Sequence, residues 1–212
     1  MSRRARIVLK AAVWALCLTP LAQLAWWVWT DDLGPNPIDA VTRWLGNWTM
    51  RWLLASLSMT PLRLLFGLSW PITLRRLLGL FAFCYATLHF AVWIVVDHFF
   101  DWPTMGADIV KRPYITVGLS ALVLLVPLAA TSTAGMVKRL GAPTWRRLHR
   151  VVYLIGVLAI LHFLWLAKVG RVAPYVYGGW LALVLGVRVW AWVRGLVLRY
   201  RRRPSATGPV PA

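Results

Sequence analysis

The chain has 212 residues, of which 60% are hydrophobic and only 14% are charged. A soluble domain is usually about 45–50% apolar and about 25% charged, so this composition excludes an ordinary soluble protein and indicates one that spans a membrane. The net charge of +18 sits in short clusters between apolar runs rather than along one polar face, and it therefore does not predict nucleic-acid binding.

Six apolar runs are long enough for membrane helices, which need about 20 residues each. We predict an all-α integral membrane protein with spans at about 10–29, 46–68, 77–97, 113–131, 150–167 and 174–193. The segment Arg3–Lys10 imitates a twin-arginine export signal, but the apolar run that follows it is long enough to span, and we interpret it as the first helix with a basic flank. The second run is the least apolar, since it contains Arg51 and Pro61. Pro127 is expected to kink the fourth helix near its end.

The lysines and arginines concentrate in alternate loops. Most of the 24 lie before the first run, around the ends of the second and fourth runs, and after the sixth. The positive-inside rule then predicts six transmembrane helices with both termini cytoplasmic. All six acidic residues fall in the outer loops of this topology: Asp31, Asp32, Asp39, Asp97, Asp101 and Asp108.

The predicted organisation has three parts. A basic cytoplasmic N-terminus covers 1–9, one membrane domain covers 10–195, and a basic and then Pro/Gly-rich cytoplasmic tail covers 196–212, of which 204–212 is predicted to be disordered. Several of the 15 tryptophans lie near predicted span ends and indicate an interface belt, namely Trp26, Trp27, Trp29, Trp44, Trp102 and Trp145. The two cysteines, Cys17 and Cys84, are interpreted as small buried hydrophobic residues.

Histidines inside membrane spans are candidates for function because ionisable groups are costly there. His89 lies 13 residues after Arg76, and His162 lies 12 residues after Arg150, which corresponds to about 20 Å and about 18 Å of helix. Both helices run outward, so the two imidazoles reach nearly the same depth in the outer half of the bilayer. Two facing imidazoles at one level suit the two axial positions of a haem iron. The alternative is a pair of hydrogen-bonding residues between helices.

His149 lies 13 residues before His162, about 20 Å lower on the same helix. Its level matches Arg75 and Arg76, so we predict an inner site for a group that carries anionic phosphate or propionates. A second haem there would need a non-histidine ligand, a shared ligand or an open position. The alternative for His149 is an interface residue that contacts lipid phosphate. His98, next to Asp97, is interpreted as a solvated loop residue.

Six ordered stretches of the chain resemble the MsrQ (YedZ) family, which is part of the ferric-reductase-like transmembrane superfamily. The resemblance covers roughly residues 10–195 and rests on Arg75–Leu80, Tyr85–His89, Arg112–Gly118, Thr131–Thr133, Trp145–Tyr153 and His162–Trp165. It implies haem ligation by His89 and His162 and an inner cofactor or ligand role for His149. Two stacked haems in the wider superfamily use two histidines on each of two helices, whereas the third span here supplies only His89.

The resemblance also implies a function. Proteins of this family carry haem b and pass electrons from the inner side of the bacterial inner membrane to MsrP, a periplasmic molybdopterin subunit that reduces methionine sulfoxide in oxidised envelope proteins. The candidate electron sources are FMN with a cytoplasmic flavin reductase, or quinol. We therefore expect an electron-transfer subunit whose catalysis lies on its partner, with Asp97, Asp101 and Asp108 helping to dock that partner.

Three alternatives remain at the level of sequence. The first is a transporter that uses the histidines as a proton relay, although the spans contain no acidic residue and no paired broken helices. The second is a structural or assembly subunit without a redox role, which would be colourless. The third is another ferric-reductase-like haem protein with a different acceptor.

Overall fold

The computed structural model describes residues 2–167 and 171–201, and within these ranges the chain is helical and contains no strand. The last part of the predicted tail, 202–212, lies outside the described residues. The helices are α1 (Arg3–Trp29), α2 (Pro37–Phe66), α3 (Arg75–Val92), α4 (Trp102–Lys111), α5 (Pro113–Ala130), α6 (Ala134–Leu140), α7 (Ala142–Leu148), α8 (Val152–Leu166) and α9 (Ala173–Arg201). A 3-10 turn, Trp70–Thr73, precedes α3, a second one, His149–Val151, joins α7 to α8, and a π-helical turn, Trp93–Asp97, continues α3.

Local signals explain where the longest helix begins and ends. The Asn36 side chain accepts a hydrogen bond from the Asp39 amide, and Pro37 occupies the first turn of α2, where its missing N–H costs nothing. Gly67 stops α2 in a left-handed conformation (φ 67°) that a glycine adopts without strain. The short helices α4, α6 and α7 were not predicted, because their polar composition resembles that of loops.

Five helical segments are long and apolar enough to cross a membrane: Arg3–Trp29, Arg75–Asp97, Pro113–Ala130, Ala142–Leu166 and Ala173–Leu198. They correspond to five of the six predicted spans. The remaining predicted span lies in α2, which has 30 residues and thus a length of about 45 Å. Its composition is less apolar than that of the other five because it carries Asp39, Arg43, Arg51 and Arg63.

Helix α2 lies at the centre of the bundle. It packs against α3 along most of its length and also contacts α1, α8 and α9, while α5 packs mainly against α8. It contributes eight buried residues, more than any other helix described in full: Leu45, Met50, Trp52, Leu53, Leu54, Ser56, Leu57 and Pro61. Of its arginines, Arg51 donates from Nε to the Tyr177 hydroxyl of α9, whereas Arg43 and Arg63 are exposed. The outer helices expose large apolar side chains on the bundle surface.

Side-chain hydrogen bonds join the helices in the interior. The Tyr85 hydroxyl on α3 donates to the Cys17 carbonyl on α1 at 2.7 Å, and the Ser56 hydroxyl on α2 donates to the Arg75 carbonyl at 2.8 Å. Cys17 is completely buried, as expected, but Cys84 is exposed on the bundle surface, which corrects the prediction that both cysteines are buried. Position 84 lies on the side of α3 away from α2, and periodicity alone does not distinguish a surface that faces lipid from one that faces protein.

Candidate functional site

His89 projects from α3 toward α2, at the end of the bundle where Asp31, Asp97 and Asp101 lie, here called the aspartate end. Its Nδ1 lies 2.9 Å from the Thr42 carbonyl oxygen. Gly46, one turn further along α2, lies so close that a Cβ there would be 3.2 Å from the His89 Cε1 atom. The imidazole therefore lies directly against the backbone of α2.

His162 has the same relationship to a different helix. It projects from α8 toward α5, and its Nδ1 lies 2.7 Å from the Tyr114 carbonyl oxygen. Gly118 lies one turn after Tyr114, and a Cβ on it would be only 2.6 Å from the His162 Nδ1 atom. Both rings thus donate Nδ1–H to a backbone carbonyl, because a carbonyl oxygen can only accept. This arrangement leaves Nε2 of each ring with its lone pair, as a metal ligand requires.

The two imidazoles face each other across the bundle. Their ring centroids are 6.3 Å apart and their planes are nearly perpendicular, at 83°. An imidazole nitrogen lies about 2 Å from a metal ion that it ligates and about 1 Å from its own ring centroid, so two rings on opposite sides of one metal have centroids about 6 Å apart. The observed separation therefore fits one metal ion between the rings.

The surroundings of the pair favour a haem over a bare metal ion. No group of three or more His, Cys, Asp or Glu side chains that could hold a metal occurs in the described part of the chain. Two trans imidazoles suit a haem, whose macrocycle supplies the other four nitrogens. His89 lies deep among the helices yet retains some accessible surface, as a side chain that lines an interhelical space does.

His149 lies apart from this pair, at the opposite end of the bundle, here called the arginine end because Arg63, Arg75, Arg146 and Arg147 lie there. Its Nε2 is 3.1 Å from the Thr131 hydroxyl, and its ring stacks on Trp145 with a centroid distance of 4.0 Å. The Trp145 indole N–H donates to the Thr131 carbonyl at 3.0 Å. Thr131 and Trp145 thus hold His149 against the end of α5, and among the described residues no second histidine faces it.

The two predicted inner arginines differ in their surroundings. Arg75 is half-buried at the start of α3, whereas Arg76 is exposed. Arg75 lies within electrostatic range of both His149 and Arg188, a residue of α9. The structure therefore brings Arg75 and His149 to one region, adds Arg188 to it, and leaves Arg76 on its edge.

Arg188 is a half-buried cation held by two other helices. Its Nη1 donates to the Tyr153 hydroxyl at 2.7 Å and its Nη2 donates to the Leu57 carbonyl at 2.6 Å. The guanidinium also lies 5.1 Å from the Tyr153 ring centroid, and its Nε is buried with no hydrogen-bond partner among the described residues. Tyr153 lies one turn after His149 on the same helix, so Arg188 contributes positive charge just above the level of His149.

Two aspartates at the aspartate end of the bundle, Asp101 and Asp108, are engaged within the chain. Asp108 contacts His98 Nε2 at 3.3 Å and Arg112 Nε at 3.2 Å, while Asp101 accepts hydrogen bonds from the Thr104 amide and hydroxyl. The hydrogen bonds from Thr104 lower the pKa of the Asp101 carboxyl below its ordinary value. His98 is enclosed between two carboxylates instead of being solvated, which corrects its interpretation as a free loop residue.

A row of indoles runs along α2. Trp27 contacts Trp44 at a centroid distance of 4.6 Å, and Trp44, Trp48 and Trp52 follow one another at 6.0 and 5.2 Å. Trp44 also donates to the Pro20 carbonyl of α1, so it is a packing residue, whereas Trp26, Trp29 and Trp102 are exposed as an interface belt requires. At 3.6 residues per turn the row lies opposite the face with Thr42 and Gly46, so it does not connect the histidine pair to His149.

Four residues at the histidine pair were missed in the sequence: Thr42, Gly46, Tyr114 and Gly118. Tyr114 and Gly118 lie inside a stretch that carried the family resemblance, but nothing local assigned them a role. The available signal was the spacing. In each case the residue whose carbonyl accepts the hydrogen bond is followed four positions later by a glycine, on a helix that packs against a histidine helix.

The chain was compared with known proteins. The model of the family "Ferric reductase like transmembrane component" matches residues 11–160. Three similar curated relatives are each described as "Protein-methionine-sulfoxide reductase heme-binding subunit MsrQ". The relative from Herminiimonas arsenicoxydans is 51% identical over 87% of this chain and 86% of its own. The relative from Rhodospirillum rubrum is 50% identical over 94% of this chain and 93% of its own. The relative from Xanthomonas campestris is 45% identical over 95% of each chain. No solved structure matches the chain.

Proposed function

Since the chain belongs to the MsrQ family of ferric-reductase-like transmembrane proteins, we propose that it is the haem-binding membrane subunit of a methionine sulfoxide reductase system and carries electrons across the bacterial inner membrane. The observation that carries this proposal is the facing pair His89 and His162, with centroids 6.3 Å apart and both Nε2 atoms available as ligands. The relatives' description as haem-binding subunits agrees with such a site.

The proposed topology has six spans, with both termini in the cytoplasm. Five spans are the apolar segments described above, and we assign α2 as the sixth, because it lies at the centre of the bundle, contributes eight buried residues and is long enough to span. The arginine end then faces the cytoplasm, as the positive-inside rule requires, and its charge contacts anionic lipid headgroups. The aspartate end, where His89 and His162 lie, faces the periplasm.

In this proposal His89 and His162 would hold a haem b through their Nε2 atoms, in the outer half of the membrane. Such a haem would supply one-electron redox chemistry at this level of the bundle. The Thr42 and Tyr114 carbonyls fix the ligand tautomers, and the packed helices around the rings exclude water. No bond is made or broken on a substrate by this chain, so it is an electron-transfer subunit rather than the catalytic one.

We further propose an inner cofactor site at His149, Arg75 and Arg76, to which Arg188 adds charge. Its positive groups suit the phosphate of FMN or the propionates of a second haem, and His149 would supply a ligand or a hydrogen bond. The electron source is a cytoplasmic flavin reductase with FMN, or quinol from the membrane. The gap of about 20 Å between His149 and His162 calls for an intermediate cofactor edge or an aromatic side chain.

The proposed acceptor is the periplasmic molybdopterin subunit MsrP, which would use the electrons to repair oxidised envelope proteins. It would approach the aspartate end of the bundle. Asp97 is the docking candidate that the structure leaves most available, with a half-exposed carboxylate, whereas Asp101 and Asp108 are engaged within the chain.

The proposal is tested by absorption spectroscopy of the full-length protein, purified in detergent from haem-replete cells. The expected result is a Soret band that shifts on reduction and the spectrum of a six-coordinate haem. His89→Ala and His162→Ala should each abolish the six-coordinate form, whereas the control His98→Ala should retain it. A colourless protein would refute the conduit, and six-coordinate spectra in both alanine variants would refute the ligand assignment.

A further inference from the structure

The backbone contacts of the two histidines share one local device. On α2 the acceptor carbonyl belongs to Thr42 and the glycine that follows by four residues is Gly46; on α5 the acceptor belongs to Tyr114 and the glycine is Gly118. In an α-helix each Cβ leans toward the N-terminus, so the side chain at i+4 covers the carbonyl of residue i. A glycine at i+4 leaves that carbonyl open to a group from a neighbouring helix.

The distances show that both openings are filled by an imidazole. A Cβ at position 118 would lie 2.6 Å from the His162 Nδ1 and 2.8 Å from its Cε1, and a Cβ at position 46 would lie 3.2 and 3.3 Å from the His89 Cε1 and Nδ1. Ordinary contacts between heavy atoms are about 3.5–4.0 Å. Any side chain at 118 therefore displaces the His162 ring, and one at 46 presses on the His89 ring less severely.

Other glycines of the bundle lack this relationship. A Cβ at Gly179 or Gly186, both in α9, would meet nothing within 4 Å. At Gly156 it would meet the flexible ends of Leu181 and Leu57, which can move aside. The close approach of a glycine to an aromatic ring is thus confined, among the described residues, to the two histidine contacts.

We propose that Gly46 and Gly118 are positioning residues for the imidazole pair. Each glycine admits one ring to the carbonyl one turn earlier, which holds the proton on Nδ1, directs Nε2 into the space between the helices and fixes the plane of the ring. Gly46 and Gly118 lie on different helices, and the two contacts together hold the planes of the two imidazole rings at 83° to each other. The consequence for haem ligation rests on the proposed function, whereas the tautomer and orientation of the rings do not.

The ring orientation has a spectroscopic signature. Two axial imidazoles with parallel planes interact with the same iron d orbital, and two with perpendicular planes interact with different ones. Perpendicular planes therefore leave these orbitals close in energy and give a highly anisotropic low-spin ferric EPR signal. We expect that signal from the wild-type holoprotein, and we expect Gly118→Ala to lose it in favour of a high-spin or less anisotropic signal.

The first experiment compares the EPR and absorption spectra of the full-length holoprotein with those of Gly118→Ala, Gly46→Ala and Gly179→Ala. The change should be large for Gly118→Ala, smaller for Gly46→Ala and absent for Gly179→Ala, following the distances. Wild-type spectra in both Gly118→Ala and Gly46→Ala would overturn the inference. If Gly118→Ala does not fold, the Gly46→Ala spectrum decides, because its clash is mild.

A second experiment does not depend on bound haem. In 15N NMR of the haem-free protein, both rings should be neutral with the proton on Nδ1, the signals being assigned by their loss in His89→Ala and His162→Ala. A proton on Nε2 of either ring would overturn the positioning role. A wild-type protein that binds no haem yet shows both Nδ1–H tautomers would refute the proposed function and support the positioning inference.

Discussion

Removal of the Tyr153 hydroxyl tests whether Arg188 is held as the structure shows. In Tyr153→Phe the ring remains, so the cation–π contact at 5.1 Å is retained, but the hydrogen bond of 2.7 Å to Arg188 Nη1 is lost. The Nε of Arg188 already lacks a partner among the described residues, and the Leu57 carbonyl occupies Nη2. The substitution therefore leaves a second buried N–H of a cation without an acceptor.

The magnitude follows from two limits. Hydrogen bonds to charged groups contribute about 1.5–3 kcal/mol in soluble proteins. Interhelical hydrogen bonds measured in a membrane protein average about 0.6 kcal/mol and reach about 1.7 kcal/mol. The short distance and the charged donor favour values around the overlap of these two ranges, so we expect a loss of about 1–2 kcal/mol in the free energy of unfolding. That corresponds to a change of roughly 5- to 30-fold in the ratio of folded to unfolded protein.

The measurement is reversible unfolding in mixed detergent micelles with increasing SDS, followed by tryptophan fluorescence. Tyr175→Phe is the matched control, since Tyr175 lies on α9 with 72% of its surface exposed. The double variant Tyr153→Phe/Arg188→Met should recover part of the loss, because it removes the unpaired cation together with its partner. Equal stability of Tyr153→Phe and Tyr175→Phe would show that Arg188 is not held in this way.

Three further outcomes are expected. Tyr85→Phe should lower the free energy of unfolding by about 0.5–1.5 kcal/mol, because it removes the buried hydrogen bond that joins α3 to α1. Thermal melting in detergent measures this loss, and an unchanged melting temperature would contradict the prediction. Asp101 has a lowered folded-state pKa, so its contribution to the start of α4 is complete above the ordinary pKa of an aspartate and is lost as the pH falls through the lower folded value. The protection of the Thr104 amide against hydrogen exchange should fall over that pH range in wild type and be lost already at neutral pH in Asp101→Ala, and full protection in that variant would contradict the cap. Arg75→Gln should slow reduction from the cytoplasmic side more than Arg76→Gln, since only Arg75 is half-buried near His149; stopped-flow reduction in liposomes measures both, and equal rates would count against the inner site.

The histidine pair His89 and His162 and the single His149 are held in place by different kinds of contact. The pair at the aspartate end is held by backbone carbonyls, which cannot be altered by substitution of their own side chains. His149 is held by the side chains of Thr131 and Trp145, and it lies within electrostatic range of Arg75, which in turn lies near Arg188. The first arrangement suits a fixed ligand set, whereas the second suits a site whose occupant brings its own negative charge.

Composition and periodicity sufficed for the membrane class and for five of the spans, because a helix in lipid must satisfy all of its backbone polar groups internally and be apolar over its full length. The pairing of His89 with His162 was also accessible, since the rise per residue converts sequence position into depth. The family was recognisable from short stretches around these residues, and the relatives confirm it.

The lateral arrangement of the helices could not be predicted from the sequence, because the position of a residue along its helix does not determine which helix packs beside it. Only the packed bundle shows that α2 is its central helix, that Arg188 approaches Arg75, and that Cys84 faces outward. Gly46 and Gly118 are the clearest case. A single glycine in a helix has no visible purpose in the sequence, and it acquires one only when a ring from another helix occupies the space that a Cβ would have filled.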